Sequence, residues 1–289
     1  MTRTLLLAGF ICSLFWGCTK SPKIAAPSYL QIDDYRVITD SGSQGTNYQT
    51  FTDVLLETST TNYGYYPIPG KIPIPFTGNS ALIIRPVVRV NGVSALRVDY
   101  PLMKGSDTTL SLTGGQVLKF KPVFKYFPSV NFRFLEDFEA GTYKMINSNN
   151  ADTFCIKEDF NQHFNGGHVS LLMQVDQNHP TCQAQSYNAF YIPNGPNVYM
   201  EINYKSTTDF EMGLIGTDNP IGALSDQRSV GGAGASATWK KFYVDLTALV
   251  RTPPSHPYYY LYFYKDSYDF NGGTTNQIFI DNIKVISQN

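Results

Sequence analysis

The sequence is poor in charge, in histidine and in long apolar runs. Charged residues are 16% of the 289, and 22 basic side chains against 23 acidic ones leave a formal net charge of −1. With no basic excess to neutralise phosphates, nucleic acid is not an expected partner. The only extended apolar stretch, Leu5 to Trp16, is about a dozen residues, well short of the ~20 that cross a bilayer. No segment holds a 3.6-residue period long enough for a stable helix. The four histidines, His163, His168, His179 and His256, include no pair four residues apart. There is no Gly-x-Ser-x-Gly, no His-Glu-x-x-His, no Walker loop and no cysteine with an evident base. Glu136, Asp137 and Glu139 could supply carboxylates for glycoside hydrolysis. Asp137 and Glu139 would share one strand face, however, whereas a catalytic pair flanks a cleft. Glycoside processing is therefore a remote reading, and the chain is expected not to be an enzyme and to need no cofactor.

What the sequence has in quantity is aromatic side chains, 20 Tyr and 19 Phe. Rings on so lightly charged a chain suit pleated, half-buried strands, so the composition predicts an all-β protein. The length allows two domains, each with its own core.

The N-terminus carries an address. Arg3, the apolar run and then Gly17-Cys18 before Thr19-Lys20-Ser21 make a signal-peptide layout. A small residue directly before Cys18 resembles the lipobox of bacterial lipoproteins, although Phe15 and Trp16 are bulkier than that pattern usually carries. The resemblance implies removal of residues 1–17, lipidation of Cys18 and attachment to the membrane through lipid. It points to the envelope of a Gram-negative bacterium, as an outer-membrane lipoprotein facing the periplasm or the surface. Residues 18–28 then form the lipidated cysteine and a short tether. Once Cys12 leaves with the signal and Cys18 takes the lipid, Cys155 and Cys182 are an even pair in an oxidising compartment, which predicts a disulfide. Two buried thiols are the other reading.

Residues 29–129 show short strand candidates separated by turn signals such as Asn91-Gly92 and Gly114-Gly115, a pattern that predicts a small β-sandwich. The Pro67 to Pro75 stretch lacks too many backbone donors for a central strand and must be an edge or a loop. Ile72-Pro73-Ile74-Pro75, Ile83 to Val90, Asn91-Gly92 and Tyr100-Pro101 resemble the transthyretin-like or PEGA-like modules of bacterial surface lipoproteins. Such modules act as spacers or interaction domains.

Residues 130–289 open on Phe134-Leu135-Glu136-Asp137-Phe138-Glu139 and close on Ile280-Asp281-Asn282-Ile283. Both read as strands, and side by side they would bring Glu139 near Asp281. Gly167 to Ser170, Val198 to Ile202, Trp239 to Phe242 and Asp245-Leu246-Thr247 lie between, and a helical turn around 245–250 stops at Pro253-Pro254. This order resembles the galactose-binding-like jelly rolls, which include many carbohydrate-binding modules. The resemblance implies a second sandwich, with a structural calcium at Glu139 and Asp281 completed by backbone carbonyls. It also implies sugar contact through aromatic faces. Tyr258, Tyr260, Tyr262 and Tyr264 alternate with Tyr259, Leu261 and Phe263, and the more apolar second set is expected inside. The tyrosine row would then face outward, either as a platform or as ordinary surface. Trp239 is expected in the core, and Gly231 to Ser236 as a flexible loop.

The reading that follows is a non-catalytic envelope lipoprotein acting in structure, assembly or adhesion by docking a protein. The alternative is carbohydrate binding by the C-terminal jelly roll. Protein docking predicts an exposed apolar patch, and sugar binding a polar-lined groove.

Overall fold

The computed structural model describes residues 26–149, 151, 156–159, 161–221, 226–269 and 273–288. Cys18 and Cys155 lie outside the described residues. Within them the only helices are two short turns, Ser41–Gln44 and Thr247–Arg251, and the remaining regular structure is strand. The chain is all-β, as its aromatic, charge-poor composition implies.

The first set of strands forms two layers. One is a five-stranded sheet built on Gly78–Arg89, flanked by Asp53–Glu57 and by Arg97–Asp99 and Ser106–Leu112. The opposite layer is split into two three-stranded pieces. Ser28–Ile32 runs parallel to Val117–Lys119, and Arg36–Ile38 runs parallel to Val123–Tyr126. The prolines end up where the missing donors cost least, because Gly70–Ile74 is an edge strand paired only with Ser28–Ile32 in its sheet. Leu30, Ile32, Ile72 and Phe124 from one layer meet Val54, Leu56, Leu82 and Ile84 from the other.

The second set is a jelly-roll sandwich of two antiparallel sheets. Its first strand, Val130–Glu136, pairs along the end of its last, Thr275–Gln288, from Val130 opposite Gln288 to Glu136 opposite Ile283. Ser170–Asp176 takes the other half of that edge, while Val198–Ser206 and then Ser236–Asp245 lie on the far side. The facing sheet runs Met145–Asn147, Cys182–Ser186, Tyr258–Lys265, Phe210–Thr217, Asp226–Ala233. Alternation does the sorting: Met200, Ile202, Ile280 and Val285 point inward from one sheet against Tyr259, Leu261, Phe263 and Leu214 of the other.

The outward face of the first of these sheets is not solvated. Tyr199, Tyr243 and Ile286 project from it into the core of the N-terminal sandwich. Val90 forms a parallel bridge with Tyr243, and the Asp245 amide donates to Asn91 Oδ1 at 3.0 Å. At the centre lies Glu201, fully buried. Its Oε1 accepts from the hydroxyls of Tyr100 at 2.6 Å and Tyr126 at 2.8 Å, and its Oε2 from Gln49 Nε2 at 2.6 Å. All three donors belong to the N-terminal sandwich. From its own sheet Lys241 Nζ approaches Oε2 at 3.1 Å. The buried Lys284 ammonium donates to the Thr46 carbonyl. Only residues 127–129 separate the last strand of the first sandwich from the first strand of the second. Phe132 packs edge-on against Tyr126 across that connection, at 4.9 Å between ring centroids.

Burial alone would raise the Glu201 carboxyl, but Lys241, Lys284 and the phenol and amide donors outweigh it and hold the group at about 2. Burial lowers Lys284 to about 7 despite the attraction of Glu201. The stability Glu201 contributes is complete above its ordinary 4.5 and is lost as pH falls toward 2. Lys284 binds its proton more weakly when folded, so stability should rise between about pH 7 and its ordinary 10.5. Glu201→Gln deprives two buried lysines of their main counter-charge. Urea unfolding at neutral pH should show a loss of about 3–5 kcal/mol, with a shallower acid slope than the parent chain.

Candidate functional site

The strand Tyr258–Lys265 runs through the middle of the second sheet of the jelly roll, with Cys182–Ser186 on one side and Phe210–Thr217 on the other. Residues directly opposite share a face, so the register assembles the sheet's outer surface in rows. Gln183, Tyr264 and Glu211 form one row, and Gln185, Tyr262 and Gly213 the next. Tyr260 lies beside Ile215, and Tyr258 beside Thr217.

The tyrosines divide by depth. Tyr259 and the core-facing Leu261 and Phe263 are inside, as the alternation predicts. Tyr258, Tyr260, Tyr262 and Tyr264 do face away from that core, but not as four exposed rings. Tyr260 and Tyr262 are buried with Ile215 in a small apolar cluster of their own, while Tyr258 and Tyr264 are half-buried. The Tyr262 hydroxyl donates to Glu211 Oε1 at 2.9 Å, and burial followed by that carboxylate pushes the phenol well above its ordinary range. Beside Tyr264 is a cavity of about 220 Å³, lined by Asp209, Phe210, Glu211, Gly231, Gly232, Tyr264, Lys265 and Asp266.

Gln183 and Gln185 are 1% and 7% exposed, and Gln183 Nε2 and Gln185 Oε1 have no hydrogen-bond partner. Buried polar atoms are nearly always satisfied, so two such atoms side by side on one face call for a cause. Sequence reading missed both glutamines and Glu211. The available signal was the alternation Cys182-Gln183-Ala184-Gln185-Ser186, in which Ala184 packs into the core and the amides turn outward.

Two local expectations are corrected. Gly231 and Gly232 belong to the strand Asp226–Ala233 rather than to a flexible loop, and a Cβ on Gly232 would collide with the Phe210 carbonyl. Trp239 is half-buried outside the core, edge-on to Phe164 at 5.9 Å. Phe164 in turn packs on Tyr48 of the N-terminal sandwich at 5.1 Å.

Glu139 and Asp281 do come together, at the loop 164–169, although the opening strand ends at Glu136 and a left-handed Phe138 carries Glu139 beyond it, so Asp137 and Glu139 do not share a strand face. Glu139 Oε1 accepts from the amides of His168 at 2.6 Å and Val169 at 3.1 Å, and Asp281 Oδ2 from that of Phe164 at 2.9 Å. Both oxygens border Gly167, where a Cβ would lie 2.8 Å from the first and 3.7 Å from the second. Burial, then the charges of Glu139 and Asp137, raise Asp281 to about 7. Among the described residues no group of three or more His, Cys, Asp or Glu is placed to hold a metal ion. Cys182 is fully buried, and the disulfide expectation rests on Cys155, outside the described residues.

No protein-family model matches the chain, and no curated protein matches it in sequence. Solved structures of similar layout include a carbohydrate-binding module of the β-sandwich superfamily, at 14% identity and TM-score 0.41, covering 91% of this chain and 99% of that one. TmCBM61 in complex with β-1,4-galactotriose is similar at 12% identity and TM-score 0.35, over 53% of this chain and 94% of that one. The enzymatically active domain of bacteriophage CBA120 tailspike protein 4 is similar at 14% identity and TM-score 0.38, over 52% of this chain but 20% of that one. These likenesses assign the chain neither ligand nor activity.

Gly213 keeps the middle of the face flat. A Cβ there would strike the Arg228 carbonyl of the next strand and come within 2.9 Å of the Tyr262 ring. Gly213→Ala should therefore cost about 1–3 kcal/mol in thermal or urea unfolding and displace the Tyr262 ring.

Proposed function

We propose that the protein is a non-catalytic carbohydrate-binding lipoprotein, and that the outer face of the sheet centred on Tyr258–Lys265 holds the glycan. The observation that carries this reading is the row Gln183, Tyr264, Glu211, reinforced by Gln185, with two buried amide atoms that lack partners. A pyranose offers C–H groups to an aromatic ring and hydroxyls to amides and carboxylates; here Tyr264 and Glu211 line the cavity, and the two amides are buried beside them on the same face. Docking of a protein partner would favour an apolar patch. The exposed large apolar side chains among the described residues are instead distributed over separate segments: Tyr65, Val93 and Leu96, Val117, Tyr187 and Tyr191, and Ile221.

Arg3, the apolar run and Gly17-Cys18 support lipidation of Cys18 and an outer-membrane address in a Gram-negative envelope. On the same footing, a calcium ion at Glu139 and Asp281 would hold the opening and closing strands of the jelly roll together. The donor chemistry fits. Two carboxylates lie against the same glycine, Gly167, and a hard cation bound by both would relieve their mutual repulsion. Backbone carbonyls would have to complete its shell.

Two measurements follow. In affinity gels containing soluble polysaccharides, at least one polymer should retard the full chain, and Tyr264→Ala should weaken that binding by about tenfold or more, about 1.4 kcal/mol. Unchanged mobility across the panel would remove the carbohydrate reading. Millimolar calcium should raise the melting temperature of the chelated protein, through preferential binding to the folded state, and Asp281→Asn should abolish the increase. Identical melting curves with calcium and with chelator would exclude the ion.

A further inference from the structure

The wall around Tyr264 is acidic. Asp209, Glu211 and Asp266 line its cavity with Lys265, and Asp269 lies 3.0 Å from Lys265 Nζ. Four carboxylates against one ammonium leave three negative charges. That ammonium is already committed: Lys265 has its side chain 3% exposed, with Nζ at 2.8 Å from Asp209 and 3.0 Å from Asp269. The hydrogen bond from Lys265 lowers the Asp209 carboxyl below its ordinary range, so it stays ionised at neutral pH. No other lysine and no arginine lines the cavity among the described residues. Along the same face the groups without partners are neutral, a donor from Gln183 and an acceptor from Gln185.

We infer that the site selects uncharged glycans, made of neutral pyranose units, and rejects polymers bearing uronate or sulfate groups. This inference rests on the carbohydrate reading and narrows it. An anionic sugar brought to Tyr264 would meet three uncompensated negative charges within the range over which salt screens weakly, about 10 Å at 0.1 M. With no free cation lining the cavity, nothing there would offset the repulsion. A neutral sugar meets no such barrier.

The test uses the full chain in affinity gels that contain galactan, xylan, glucomannan or mixed-linkage β-glucan as neutral probes, and polygalacturonate or alginate as acidic ones. The expected result is retardation by at least one neutral polymer and none by the acidic polymers, with the neutral retardation lost in Tyr264→Ala. The double variant Asp209→Asn, Asp266→Asn should acquire binding to polygalacturonate or alginate, strengthened by about tenfold or more over the parent chain. If an acidic polymer retards the parent chain as strongly as a neutral one, and Tyr264→Ala abolishes both, charge selection is wrong while carbohydrate binding stands. If no polymer retards a chain shown by circular dichroism to be folded, both readings fall.

Discussion

A carboxylate taken completely out of water is costly unless its partners are all in place, and the architecture is organised around one that has them. Glu201 projects from the jelly roll, yet Tyr100, Tyr126 and Gln49, which complete its shell, come from the N-terminal sandwich. Lys241 and Lys284 supply the opposite charge from the jelly roll itself. Neither sandwich can satisfy the group alone. Against well-packed apolar residues such a buried pair need not stabilise at all. What it enforces is registry, since phenols, amide and ammoniums meet the carboxylate in one relative placement of the two units. The bridge at Val90 and the bond from Asp245 to Asn91 fix the same placement from the backbone.

That arrangement decides which surface remains for a ligand. A sandwich of two sheets has two outer faces, and here one is covered by the other sandwich. The tyrosines reflect the division. Tyr199 and Tyr243 are amphipathic side chains used to close a polar junction, with rings in the N-terminal core and, for Tyr243, a hydroxyl bonded to Gln49. On the opposite face Tyr262 closes against Glu211, and Tyr264 borders a cavity. The same residue type serves as mortar on one side and as lining on the other, and only the partner across the row distinguishes them.

Much of this was legible in the sequence wherever a signal was local. Alternation along Tyr258 to Tyr264 placed Tyr259, Leu261 and Phe263 inside, the prolines of 67–75 placed their segment at an edge, and Pro253-Pro254 ended a helical turn at Arg251. The pairing of the first and last strands of the jelly roll followed from their shared pattern. What stayed hidden depends on which side chains from distant segments meet. Glu201 reads as an ordinary outward residue of a strand, and nothing near it announces phenols about a hundred residues earlier. The depth of Tyr262 depends on Gly213 and Glu211 of a neighbouring strand. The glycines at 231 and 232 looked like a loop because glycine marks close backbone approach and chain reversal with the same letter.

The three-residue connection at 127–129 has a consequence for how such a chain could be remodelled over time. Proteins of beads-on-a-string design exchange their beads freely, because each arrives with a finished surface. Here a cut at that connection would present solvent with two lysines, a glutamate and a patch of aromatic rings on one piece. On the other it would leave hydroxyls of tyrosines that had been aimed at an anion. The pair is inherited as a unit, and a replacement for either half would have to bring the matching half of a charge site as well as a matching shape.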